Sequence, residues 1–209
     1  MAFSRVSIIL LHCIITLTSQ ELLGASVHDS LQKKDFKYLF TMISSSKETP
    51  AEQKIYLQAF LANAKAVKDW ELIVNGYKNY ADYADEDVAI TYTDSMVYAA
   101  KQSRDDKLIG SAYLSKGIAY YVFKRHELAL ENYLMAKPYI EKSGDEYLKY
   151  KLKYNIAHEK YYLGKNDEAI RLFNACLNYF KDTNPRAYLN TLHSLGLVYN
   201  KAGDYGKSL

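Results

Sequence analysis

Gly117-Ile118-Ala119-Tyr120-Tyr121 is followed by Ala129, Tyr133 and Ala136, and the same order of small and bulky residues returns as Ala157, Leu163-Gly164-Lys165, Ala169, Phe173 and Cys176. The return is regular. Ala89, Ala129, Ala169 and Ser208 are spaced 40, 40 and 39; Met96, Ala136 and Cys176 are spaced 40 and 40; Gly117, Ala157 and Gly196 are spaced 40 and 39. Two antiparallel helices approach closely only where small residues sit at the crossing, and the bulky residues between them fill the space towards the next pair. The pattern therefore predicts an all-α chain of stacked antiparallel helical hairpins, a solenoid of about four and a half units.

Helix ends support this reading. Asn184-Pro185 is a cap followed by Pro at the first helical position. Thr49-Pro50-Ala51-Glu52 has the form of a capping box, in which the Thr side chain takes the third amide and the Glu reaches back. Gly164 and Gly203 stand where a left-handed stop is expected. Pro138 falls late in a helical segment and should kink or end it. The expected helices lie near 29–43, 50–66, 70–83, 86–102, 106–123, 126–142, 145–163, 167–181 and 185–202, with a tenth beginning near Tyr205. Only 3 Pro and 9 Gly in 209 residues make such long helices easier, and 21 Tyr suit half-buried helix faces with polar tips.

The N-terminus reads differently. Arg5 precedes Val6–Leu17, a mostly apolar run of 12 residues, and Thr18, Ser19 and Gln20 follow. That order is expected of a signal peptide, residues 1–19, cleaved near Ser19 or Ala25. The run is too short for a membrane span, which needs roughly 20 residues; the competing reading is a buried first helix. The chain after the signal, residues 20–209, is expected to be the repeat domain, exported to the periplasmic or extracellular side of a bacterial inner membrane.

These segments resemble the tetratricopeptide repeat family, which implies that the solenoid is right-handed. Ala112-Tyr113, Gly117–Tyr121, Ala129, Tyr133 and Ala136 carry its small and aromatic positions in order, as do Ile156-Ala157 through Cys176 and Leu195-Gly196-Leu197-Val198-Tyr199 through Tyr205. The match is best over 106–209. It departs from the family in its step, which exceeds the usual 34 or so residues by roughly six, or about 9 Å of helix, taken up either in helices or in turns. Lys116 and Lys160 also stand where the family has Leu and Tyr. With the exported start and Tyr56–Lys65, the longer step looks like the sensor region of Bacteroidetes regulators. In those proteins the repeats precede one transmembrane helix and an AraC-type helix-turn-helix domain.

The resemblance implies a non-catalytic module that binds protein or peptide in a concave groove lined by the first helix of each hairpin. The alternative is a sensor fragment of a membrane-spanning transcriptional regulator without its transmembrane and DNA-binding parts. The groove-facing family positions map to Leu114, Ile118 and Tyr121; to Tyr154, Asn155, His158, Tyr161 and Tyr162; and to His193, Leu197, Asn200 and Lys201. The candidate ligand contacts are Tyr121, Tyr154, Asn155, His158, Tyr161, Tyr162, His193, Asn200 and Lys201. Membrane association is expected only of a longer C-terminal part. The repeat breaks off at Gly203–Leu209, so self-association through an uncapped edge is expected.

Reaction chemistry is not assembled. The formal charge of +3, or +2 without residues 1–19, is interspersed, and no nucleic-acid contact is expected. No Gly-rich phosphate loop, HExxH pair or zinc spacing occurs, so no cofactor and no metal are expected. His126-Glu127 and His158-Glu159 point about 100° apart on a helix and cannot share a ligand. Cys176 occupies a small-residue position and reads as a core thiol.

Overall fold

The computed structural model describes residues 30–32, 34–46, 49–203 and 206. The signal-peptide reading, Cys13 and the repeat positions Asp204, Tyr205 and Ser208 lie outside these residues. Among the described residues there are nine helices and no strand: α1 Phe36–Ser45, α2 Pro50–Val67, α3 Trp70–Asp82, α4 Glu86–Ser103, α5 Asp106–Val122, α6 His126–Ser143, α7 Glu146–Tyr162, α8 Asn166–Thr183 and α9 Pro185–Lys201. The chain divides into two compact units, one ending at Asp69 and the other beginning at Trp70.

In the first unit, α1 and α2 form a hairpin around Leu39, Ile43, Leu57 and Phe60, all buried. Phe36 meets Phe60 edge to face at 5.2 Å, and Gln53 Nε2 donates to the Ile43 carbonyl at 2.9 Å. Here the helix expected near 29–43 is corrected. A turn intervenes after Leu31, and Asp35 accepts the Tyr38 amide at 2.6 Å, so a capped helix starts only at Phe36. The capping box at Thr49 also forms differently: the Thr hydroxyl faces the Ser46 carbonyl and the Glu52 carboxylate, and caps no amide.

In the second unit each helix from α3 to α9 packs against the next. The small residues at the expected crossings hold the pairs together. Ala89, Ala129 and Ala169 are fully buried, as are Ala136 and Cys176. At Gly117 a Cβ would run into the Tyr133 ring, and at Gly110 it would come within 2.6 Å of Ile140 Cγ1. Phe173, also fully buried, joins Ala157, Ala169, Leu195 and Val198 in the core between α7, α8 and α9. Burying such a ring contributes about 1.5–3 kcal/mol.

The extra residues of the step reside in the helices. Helices α4 to α9 have 17 or 18 residues each, about 26 Å, and one to three residues join them. The stops recur with the same step. Gly164 and Gly203 have φ of +75° and +79°, and Lys124, 40 residues before Gly164, has φ of +60°. Arg104 (φ +57°) and Gly144 (φ +70°) form a second such pair. Asn184 Oδ1 accepts the Ala187 amide at 3.0 Å ahead of Pro185. Pro138 does not end α6, which runs on to Ser143; the proline costs one backbone bond, while Ile140 beyond it is anchored in the core.

Lysines at unusual family positions find carboxylates: Lys116 Nζ lies 2.5 Å from Asp94, and Lys160 Nζ 2.8 Å from Glu168. In this unit α3 touches α5, α5 touches α7 and α7 touches α9, whereas α4, α6 and α8 do not touch one another. The first helices form the tighter layer, so this stack curves towards them.

Candidate functional site

The inner layer carries an aromatic cavity of about 200 Å³ between α5, α7 and α9. Tyr121 from α5 forms one side. Tyr154, His158, Tyr161 and Tyr162 come from successive turns of α7, Asn190, His193, Ser194 and Leu197 from α9, and Phe173 closes the floor from α8. Positions three, four and seven apart share one helix face, which is how one stretch of α7 supplies four rings.

A second cavity of about 250 Å³ adjoins it, lined by Ile118, Tyr147, Lys151, Asn155, Phe180 and Ala187 and sharing Tyr154 and Asn190 with the first. Of the nine candidate contacts, the structure brings Tyr121, Tyr154, His158, Tyr161, Tyr162 and His193 to the first cavity and Asn155 to the second. Asn200 and Lys201 line neither. Lys201 Nζ instead donates to the Tyr161 carbonyl at 3.0 Å and lies 4.5 Å from that residue's ring centre. Leu114, mapped to the groove, is buried in the core, because at this crossing the helix turns it towards its neighbours.

The rings hold one another. His158 packs edge to face on Tyr154 at 4.7 Å, on Phe173 at 5.1 Å and on Tyr121 at 5.9 Å. The Tyr121 and Tyr162 hydroxyls are 3.5 Å apart, and burial with this contact raises the Tyr121 phenol. Ser194 is the polar hub. Its Oγ lies 2.8 Å from the Asn190 carbonyl, 3.2 Å from His158 Nε2 and 3.3 Å from the Tyr154 hydroxyl. Burial lowers His158 to about 4, so it is a neutral imidazole at physiological pH.

Behind the cavity, Glu159 is 0% exposed. Its Oε2 meets His126 Nδ1 at 2.8 Å, and its Oε1 has no partner. Burial pushes this carboxyl up, against the pull of His126. His126 in turn stacks on Tyr162 at 4.4 Å. Neither His126 nor His158 shares a ligand with its sequence neighbour; each reaches across to another hairpin.

Sequence reasoning did not single out Asn190, Ser194, Phe173, Lys151 or the His126–Glu159 pair as site features. A signal existed for two of them. Ser194 stands 40 residues after Tyr154, and Asn190 lies one helical turn before it.

Cys176 is a core thiol whose Sγ sits 3.5 Å from the Tyr150 carbonyl, and burial pushes it up to about 12. No group of His, Cys, Asp and Glu able to hold a metal occurs among the described residues, and no described helix is long and apolar enough to cross a membrane.

No family model and no curated protein matches this chain. Its structure does match solved ones. A signal transduction ATPase with numerous domains and a tetratricopeptide repeat sensor, from Pyrococcus horikoshii, aligns with a TM-score of 0.67 and 16% identity over 93% of this chain and 34% of its own. A Rap protein complexed with competence and sporulation factor aligns at 0.61 and 16% identity, over 90% of this chain and 55% of its own. BtubC from P. vanneervenii aligns at 0.58 and 12% identity, over 85% and 86%. The chain thus spans about a third of the ATPase and just over half of the Rap protein. At these identities the likeness concerns the fold, which is that of a tetratricopeptide-type helical repeat protein. None of these three neighbours bears on the narrower resemblance to the Bacteroidetes regulators.

Proposed function

We propose that the chain is a peptide- or protein-binding repeat module whose ligand lies on the inner layer of α5, α7 and α9. The observation that carries this reading is the aromatic cavity itself. Rigid helices present tyrosines, a neutral histidine and amides around an open space, a combination of apolar area and adaptable hydrogen bonding suited to an extended peptide. The Rap protein was solved with competence and sporulation factor, which is consistent with a ligand-binding use of this fold. Such a module acts by binding and not by catalysis.

Panning a random peptide library against the whole chain tests this. Enriched peptides should lose binding to a Tyr162→Ala, Leu197→Asp double variant, both positions being exposed at the cavity rim, while its circular dichroism stays helical and its melting stays cooperative. Failure to enrich any peptide, or binding indifferent to the double variant, would overturn the proposal.

A sensor fragment of a larger exported regulator is the second reading. It is favoured by the structural neighbour whose repeats serve as a sensor and by the apolar run Val6–Leu17. Fusing residues 1–30 to alkaline phosphatase reads out export: periplasmic activity supports it, and cytoplasmic retention removes it.

A further inference from the structure

The hydrogen bonds around Ser194 fix more than packing. A hydroxyl has one hydrogen and two lone pairs. The shortest contact, 2.8 Å, is to the Asn190 carbonyl, which can only accept, so the hydrogen goes there. The lone pairs are left for the Tyr154 O–H at 3.3 Å and for His158 Nε2 at 3.2 Å. That makes Nε2 the protonated nitrogen and Nδ1 a bare acceptor. Nδ1 makes no hydrogen bond to a described residue, and the half-buried His158 lines the cavity. Because burial keeps the ring neutral down to about pH 4, this assignment holds through the physiological range.

The charges around the cavity then select the occupant. Aromatic faces by themselves would also suit a cation. No carboxylate lines either cavity, however. Lys151 projects into the adjoining one with no carboxylate partner among the described residues. Asp82, the acid that acts on it, is held by Lys78. Lys201 already occupies one face of Tyr161. Two ammonium groups flank the rings, so a cationic guest is repelled, whereas a neutral ring with a carboxylate beside it satisfies both cavities. Asn190 lines both cavities.

We propose that the Tyr121–His158–Ser194 cavity is a subsite for an aromatic side chain bearing a hydrogen-bond donor, tryptophan or tyrosine. The donor points at His158 Nδ1, and a neighbouring carboxylate of the same peptide reaches Lys151. This rests on the peptide-binding reading above and names the chemistry of its ligand.

The test uses fluorescein-labelled Gly-Gly-Trp-Asp-Gly-Gly and fluorescence anisotropy on the full chain. Replacing the indole by 1-methylindole keeps the bicyclic ring and puts a methyl group in place of the N–H hydrogen; it should weaken binding about fivefold. Replacing the peptide's Asp by Asn should weaken it about tenfold. The first effect should vanish on His158→Phe and the second on Lys151→Met, as coupled pairs require. The peptide-side changes are read on the unaltered chain, so an unstable variant does not shield the proposal. An arginine peptide that binds as well as the tryptophan one, or a methylated indole that binds equally, would overturn it. If library panning yields cavity-dependent binders rich in Lys or Arg, the subsite chemistry falls and the binding reading stands. If nothing is enriched, both fall.

Discussion

The second unit has two kinds of surface on the same helices. Where α5 meets α6 and α7 meets α8, contacts are small against large: Gly117 under Tyr133, and Ala157 and Ala169 around Phe173. Where α5, α7 and α9 face one another, contacts are polar and aromatic, tied through Ser194, Tyr154, His158 and Tyr121. The first surface is filled by shape and leaves no space. The second is held by hydrogen bonds and encloses an open cavity. A helix can thus commit one face to stability and keep the other for binding, provided the bulky residues face the hairpin and the amphipathic ones face the groove.

The contrast makes graded expectations. Phe173→Ala should cost about 3–5 kcal/mol, because a fully buried ring leaves a cavity that the long helices cannot collapse. Chemical denaturation measures it, and a loss below 1 kcal/mol would mean the hairpin interior is as yielding as the groove. His158→Phe should chiefly change pH dependence. The imidazole drops from 6.5 in the unfolded chain to about 4 in the folded one, so its contribution is full above about pH 6.5 and is lost as pH falls towards 4. That difference corresponds to about 3 kcal/mol, which the variant should no longer lose in acid. Denaturation at pH 7 and pH 4.5 gives the comparison. Glu159 next to it has the opposite sign: its carboxyl is raised above 4.5, so its contribution is full below that pH and fades as pH rises. Glu159→Gln isolates the second slope.

Smaller effects follow at the hub and the turns. Ser194→Ala should cost about 1–2 kcal/mol, since His158 and Tyr154 lose a shared acceptor while the core stays filled. A cost equal to that of Phe173→Ala would erase the distinction between the two surfaces. Lys124→Gly should add about 0.5–1 kcal/mol by relieving a left-handed side chain, as its repeat equivalent Gly164 already does. Thermal melting would show it, and a lowered melting temperature would show that the Lys side chain contributes more than its strain.

The hairpin interior was readable from the chain because steric need writes itself as residue size at a fixed interval. Ala89, Ala129 and Ala169 announced the step, and all three are fully buried. The stops were readable only where Gly filled them; Lys124 and Arg104 adopt the same backbone without the compositional sign. The groove was read by transferring family positions, which brought seven candidates to the two cavities but also included Asn200, Lys201 and the buried Leu114. Its true connections span 33 to 41 residues, as in His126–Glu159 and Tyr121–Tyr162, and follow from how hairpins lie together. No local pattern encodes such pairings.

Cys176 gives the stack a built-in clock. Its sulfur is sealed between α7 and α8 and is the free thiol of the described residues, with an acidity too low to react while covered. Any alkylating reagent must wait for the hairpin to part, so the rate of labelling reports how often that seam opens. A ligand that clamps α7 to its neighbours would slow the clock without ever touching the sulfur.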